Sequence, residues 1–148
     1  MTFLERLSQE IKSAMLARDA DRLSTLRMLK STIGYVQIER KDEPIPEADL
    51  ITIVQKEVKK RRDSVEQFQQ GGRPELADKE LQEITVLEEF LPKPLSPGEL
   101  EVLVKEVIQE TGATSKKEMG KVIKAVQAKA AGRAEGKTIS ELVGKLLP

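Results

Sequence analysis

The sequence predicts an all-α fold, on the basis of its core composition, the spacing of its apolar residues and its helix-ending residues. Of 148 residues, 39% are hydrophobic but only 3% are aromatic, and aliphatic cores of this kind suit helices better than sheets. Apolar residues recur at helical spacing along most of the chain, with Pro and Gly between the periodic stretches. We therefore expect an N-terminal four-helix domain with a long helical hairpin, residues 1–94, and a small C-terminal three-helix domain, residues 95–148.

The first two predicted helices are joined by a short turn. Residues 3–18 carry one apolar stripe, and the second helix runs to about Arg40 from an N-cap at Asp19 or Asp21. Apart from its main apolar stripe, the second helix has apolar residues on another side, namely Met28, Tyr35 and Ile38. We therefore expect this helix to pack on two sides as the central helix of its bundle, with Tyr35 as a packing residue rather than a catalytic acid.

The third and fourth helices are predicted to form an antiparallel hairpin. Pro46 suits the first turn of a helix over residues 47–70. Two glycines at 71 and 72 end that helix, and Pro74 starts a fourth helix that runs back to about Leu91. On the third helix, Arg61 projects close to the apolar stripe, which predicts a structural anchor lying along the bundle.

Three prolines within residues 92–97 mark the boundary between the two predicted domains. Beyond it, three Ser or Thr residues each stand three positions before a glutamate, the capping-box pattern of a helix start. The pairs are Ser96 with Glu99, Ser115 with Glu118, and Thr138 with Glu141. They predict helices over about 97–111, 116–131 and 139–147.

The composition disfavours most kinds of catalytic site. His and Cys are absent, which excludes thiolate nucleophiles, disulfides and thiolate zinc sites. We predict no catalytic residue, no metal site and no cofactor.

Residues 132–138 resemble the end of a Walker A loop, which binds phosphate. The spacing is one residue short, however, and no strand precedes them. We therefore interpret them as a connection in which Thr138 caps the next helix.

The apolar runs and the first residues of the sequence predict a cytoplasmic protein. The longest apolar runs are too short to span a bilayer. The first six residues lack the basic and apolar regions of a leader peptide.

Basic residues are unevenly distributed, although the formal net charge is zero. Residues 116–145 hold eight basic and three acidic residues. The helix predicted there presents Lys117, Lys121 and Lys124 opposite its apolar stripe, without acidic partners four residues away. With Arg133 and Lys137 in the following glycine-flanked loop, they are the candidate nucleic-acid-binding residues. The alternative is a lysine face that only confers solubility.

A possible secondary basic patch lies on the third helix and consists of Lys56, Lys59, Lys60 and Arg62. Acidic residues one turn away can neutralise much of this region. The expected pairs are Lys59 with Asp63, Arg61 with Glu57, and Arg62 with Glu66. A solvated, self-compensated face is therefore the favoured interpretation of this patch.

Several stretches along the whole chain, in the right order, resemble the YqeY-like proteins of the GatB/YqeY family. They are RDADRL at 18–23, LRMLKS at 26–31, EVKKRRDS at 57–64 with Phe68, GRPELA at 72–77, EFLP at 89–92, MGKV at 119–122 and GRAEGK at 132–137. The departures are mild: Phe90 stands where the family often has Tyr, and Glu135 where it usually has Asp. This family shares its domain with the carboxy-terminal tail of the B subunit of the tRNA-dependent amidotransferase.

The resemblance implies two all-α domains and a tRNA contact by the C-terminal one. In the amidotransferase, glutamine hydrolysis, ammonia transfer and aminoacyl activation occur on other domains and subunits. The family label of carbon–nitrogen ligase with glutamine as amido-N-donor therefore derives from catalytic parts that this chain lacks. We expect a tRNA-associated accessory module of translation, whose partner is tRNA or a translation-related protein.

Two other functions stay open. One is a protein–protein adaptor that uses the helical hairpin and makes no RNA contact. The other is an amidotransferase component that acts only within a complex.

Overall fold

A computed structural model describes all 148 residues and confirms the all-α fold. The seven helices are α1 (Phe3–Leu16), α2 (Ala20–Arg40), α3 (Glu47–Gln70), α4 (Pro74–Glu88), α5 (Pro97–Thr111), α6 (Met119–Ala130) and α7 (Gly136–Leu146). A short 3-10 turn, Lys116–Glu118, precedes α6. None of the helices combines the length and the hydropathy that crossing a lipid bilayer requires.

The residues divide into two compact units, Met1–Leu91 and Pro92–Pro148, each with its own hydrophobic core. In the first unit, α3 and α4 pack along each other as a hairpin, and α2 contacts α1, α3 and α4. Phe3 at the start of α1 meets Phe90 beyond the end of α4, with ring centroids 5.5 Å apart. The guanidinium of Arg6 lies 5.0 Å from the centre of the Phe90 ring, so aromatic and cation–π contacts close this end of the bundle.

In the second unit, α5, α6 and α7 pack against one another around a core of small aliphatic side chains. The side chains with no exposed surface are Val104, Val107, Val122, Val126 and Val143. The segment before α5 is held to the α6–α7 connection, because the Leu95 amide donates a hydrogen bond to the Arg133 carbonyl at 2.8 Å.

Only one of the three predicted C-terminal capping boxes forms. Ser96 and Glu99 exchange both hydrogen bonds at the start of α5. The Ser115 prediction is wrong, because Glu118 accepts from the Thr114 amide at 2.7 Å and α6 begins only at Met119. The Thr138 prediction is also wrong.

Helix α7 begins at Gly136, earlier than the capping pattern predicts. Its N-cap is Glu135, in extended conformation. Thr138 therefore lies inside the first turn of the helix, where its hydroxyl cannot cap the end.

Helix α2 contacts the three other helices of its unit, but the prediction that Tyr35 and Ile38 pack on its second side is wrong within this chain. Its main stripe is buried, with Leu26, Leu29 and Ile33 in the core of the first unit. On its other side, however, Tyr35 is 72% exposed and Ile38 is 74% exposed. Tyr35 is therefore not a packing residue of this chain. On the same side of α2, Met28 contacts Arg61 of α3, but Tyr35 and Ile38 remain exposed.

Candidate nucleic-acid interface

Three of the predicted nucleic-acid-binding lysines lie along α6 and the turn before it. Lys121 and Lys124 are one helical turn apart on α6, and Lys117 lies in the 3-10 turn. All three side chains are exposed. The buried side of α6 carries Val122 and Val126, so the lysines face solvent as predicted.

These three lysines form no ion pair or hydrogen bond, whereas other lysines of the same unit do. Lys105 lies 3.2 Å from Glu101, and Lys129 lies 2.6 Å from Glu110. Like charges one turn apart on a helix are mutually destabilising by a few tenths of a kcal/mol. An external anion would relieve that repulsion.

The two predicted residues of the α6–α7 region differ in their surroundings. Lys137 lies in the first turn of α7, is exposed and has no ion pair. Arg133 is half-buried, and its Nε donates to the Lys93 carbonyl at 2.8 Å. Its Nη2 lies 4.0 Å from Glu99, so Arg133 ties the segment before α5 to this connection. The free cations are therefore the four lysines rather than all five predicted residues.

The secondary patch on α3 is partly compensated. Lys56, Lys59, Lys60 and Arg62 are all exposed. Lys60 lies 3.9 Å from Glu57, and Arg62 lies 3.5 Å from Glu88 on α4. The expected Lys59–Asp63 ion pair is absent.

Arg61 is buried in the first unit, as predicted for a structural anchor. Its guanidinium lies 3.2 Å from Glu57 and 3.2 Å from Glu83 on α4, and Nη2 lies 3.4 Å from the Met28 sulfur. These contacts join α2, α3 and α4. Burial, together with the neighbouring Glu83 carboxylate, raises the pKa of Glu80 beside this cluster. Arg61 serves the fold and is not available to a ligand.

Comparison with known proteins identifies the family. The family model described as Yqey-like protein matches residues 4–147. The chain belongs to the Yqey-like family. This membership supports the relation to the amidotransferase tail that the sequence stretches indicated.

Fungal relatives of this Yqey-like chain carry the name "Altered inheritance of mitochondria protein 41, mitochondrial". The protein from Kluyveromyces lactis is 38% identical over 57% of this chain and 45% of the relative. The one from Vanderwaltozyma polyspora is 33% identical over 70% of this chain and 57% of the relative. The one from Pyrenophora tritici-repentis is 28% identical over 95% of this chain and 81% of the relative. The chain thus spans about half the length of the first two of these relatives.

The expectation of a cytoplasmic protein is contradicted by these names, because the similar proteins are designated mitochondrial. That expectation depended on the first six residues and on the short apolar runs. Neither feature identifies a compartment.

Proposed function

We propose that the unit Pro92–Pro148 binds the phosphate backbone of tRNA, and that the chain is an accessory module of translation without a catalytic centre of its own. The observation that carries the proposal is a set of exposed lysines without ion pairs. They are Lys117, Lys121, Lys124 and Lys137.

The chemistry of this unit favours contacts to phosphates over contacts to bases. Lysine ammonium groups bind phosphate oxygens as point charges, which position a nucleic acid without reading its sequence. Residues 92–148 contain no aromatic side chain on which a base could stack. At Gly120, between the lysines, an added Cβ would meet no other atom within 4 Å, so the surface there is open to a nucleic-acid backbone.

Family membership supports the choice of tRNA among nucleic acids. The stretches at 119–122 and 132–137 resemble the tail of the amidotransferase B subunit, for which the resemblance implies a tRNA contact. The α6 lysines lie in and next to the first of these stretches. The proposal therefore places the RNA contact where this resemblance and the uncompensated charge coincide.

A filter-retention assay with tRNA tests the assignment. Replacing Lys117, Lys121 and Lys124 by Glu changes three attractive charges into repulsive ones, so we expect affinity to fall by about tenfold or more at low salt. Unchanged tRNA retention by this triple variant would refute the α6 site.

The matched control changes the same number of charges on the other basic patch. In it, Lys56, Lys59 and Lys60 on α3 become Glu, and we expect tRNA affinity to stay within about twofold. If the control variant loses binding and the α6 variant keeps it, the interface lies on α3 instead.

A further inference from the structure

The exposed side of α2 has the residue spacing of a helix–helix contact. Met28, Ser31, Tyr35 and Ile38, called here the α2 seam, follow one another at intervals of three, four and three residues. Side chains at alternating intervals of three and four residues lie along one side of a helix. This is the spacing found where one helix packs along another. Met28 is 41% exposed, and Tyr35 and Ile38 are exposed over more than 70% of their surface. The Met28 sulfur also contacts Arg61 of α3, so the part of this line that the first unit leaves open is Ser31, Tyr35 and Ile38.

Gly34 lies beside the α2 seam, and packing within the chain does not require a glycine there. A Cβ added at Gly34 would meet no other atom within 4 Å. Glycine in the middle of a helix is unfavourable relative to alanine. Because Gly34 has no side chain, the backbone of a second helix can approach α2 closely beside the α2 seam.

The charges beside the α2 seam indicate which kind of helix fits. Arg27 and Lys30 lie on the same edge of α2 as Gly34. Both are exposed and form no ion pair. A helix that packs on the α2 seam would place its own flanking residues against this edge, and acidic residues there would be complementary.

A second copy of the chain does not supply that complementarity. In an antiparallel pair of α2 helices, like edges meet, so the edge with Arg27 and Lys30 would face the same edge of the other copy, which carries no Asp or Glu. In a parallel pair, Arg27 would lie opposite Thr32. The same offset places Gly34 opposite Glu39, but neither arrangement puts a carboxylate directly opposite Arg27 or Lys30.

RNA also fits this side less well than a protein helix does. Tyr35 could stack on a base, but Glu39 follows it one turn later on the same side of α2 and would repel a phosphate. The neighbouring Met28 and Ile38 offer a nucleic acid only apolar surface.

We propose that the α2 seam docks an amphipathic helix of a partner protein. The apolar stripe of that helix packs on Met28, Tyr35 and Ile38, and its acidic residues contact Arg27 and Lys30. This surface is distinct from the tRNA interface proposed for the other unit. It also differs from the α3–α4 hairpin, whose exposed large apolar side chains, Leu76 and Leu81, are both less than 40% exposed.

Site-specific photo-crosslinking in the source cells tests the proposal. A benzophenone amino acid replaces Tyr35 in the full chain, and mass spectrometry identifies the crosslinked segment. We expect a helical segment of another protein with an apolar stripe flanked by Asp or Glu. Placing the same crosslinker at Leu81, which is 39% exposed on α4, provides the control.

Two variants separate docking from chance contact. Gly34→Leu blocks the close approach, and the double variant Arg27→Glu with Lys30→Glu reverses the edge charge. Each should lower the crosslink yield at Tyr35 by about tenfold. Circular dichroism melts should show both variants folded, because the substituted positions lie on the open side of α2.

Several outcomes would overturn the proposal. These are a crosslink only to a second copy of the chain, a crosslink only to RNA, a yield at Tyr35 no higher than at Leu81, or a yield that neither variant changes. An acidic helical partner lost in both variants would support it, whether or not the α6 lysines bind tRNA.

Discussion

At the scale of single residues, the buried Arg61 should contribute to the stability of the first unit, because it pairs with two carboxylates. Its side chain is 9% exposed and lies 3.2 Å from Glu57 and 3.2 Å from Glu83. Arg61→Leu leaves Glu83 without this cation and leaves Glu57 with only the exposed Lys60, 3.9 Å away. We expect the free energy of unfolding, measured with urea, to fall by about 2–4 kcal/mol.

Lys60 provides the control for this prediction. It lies 3.9 Å from the same Glu57 but is 75% exposed. Lys60→Ala should therefore cost less than about 0.5 kcal/mol. Equal losses for the two variants would show that burial of the Arg61 ion pair does not matter.

Glu80 should make the same cluster sensitive to pH. Burial and the Glu83 carboxylate raise its pKa above the ordinary value of 4.5, with Arg61 and Lys79 opposing. Because the folded chain has the higher pKa, folding disfavours the charged form. That penalty is full at neutral pH and disappears as the pH falls below 4.5.

Glu80→Gln removes the charge at every pH. It should raise the thermal midpoint at neutral pH and leave it unchanged in acid, as followed by circular dichroism. A gain that persists in acid would point to packing instead of charge.

At the scale of helices, the predicted N-terminal cap forms at the start of α5 but not at the start of α7. The Ser96 hydroxyl accepts from the Glu99 amide at 3.1 Å, whereas Thr138 lies inside the first turn of α7. Ser96→Ala should destabilise the chain by about 1 kcal/mol, and Thr138→Ala by a few tenths at most. Guanidinium denaturation of the two variants measures both, and the reverse order would support the start of α7 that the sequence predicts.

Gly34 on α2 supports a second prediction at this scale, which concerns the stability of the same helix that is proposed to dock a partner. Nothing within 4 Å opposes a Cβ there, so Gly34→Ala should stabilise the chain by about 0.5–1 kcal/mol in urea denaturation. At Gly144, a Cβ would lie 3.3 Å from the Met119 methyl, so Gly144→Ala should gain less. A loss of stability at Gly34 would mean that the glycine has a role within the chain.

The helices were largely predictable because apolar periodicity reports local burial, as the stripes of α1, α3 and α5 show. Helix starts were less predictable, because a Ser or Thr three residues before a Glu also occurs where another acceptor satisfies the backbone, as Glu118 does at Thr114. The exposure of Tyr35 was not predictable. Apolar spacing indicates that a side of a helix packs against something, but it does not tell whether the packing partner belongs to the same chain. The free lysines follow from missing acidic neighbours, whereas the Arg133–Lys93 hydrogen bond joins residues 40 apart and has no local signal.

At the scale of the whole molecule, the neutral net charge conceals a division between the two units. Residues 1–91 hold 15 basic and 18 acidic residues, and residues 92–148 hold 10 basic and 7 acidic residues. Overall charge therefore cannot draw the chain to a nucleic acid. The tRNA binding proposed above would therefore depend on a few local contacts in the second unit, and the number of those contacts can be measured.

The salt dependence of tRNA binding supplies that measurement for the intact chain. Four lysine–phosphate contacts should give a slope of about −3 for the logarithm of affinity against the logarithm of salt concentration. Lys121→Ala should make the slope shallower by about 0.7–0.9, because one contact is lost. Lys129→Ala should leave it unchanged, because Glu110 lies 2.6 Å from that ammonium. Equal slopes for the wild-type chain and Lys121→Ala would mean that the exposed lysines of α6 serve solubility, and that any tRNA contact lies elsewhere in the chain.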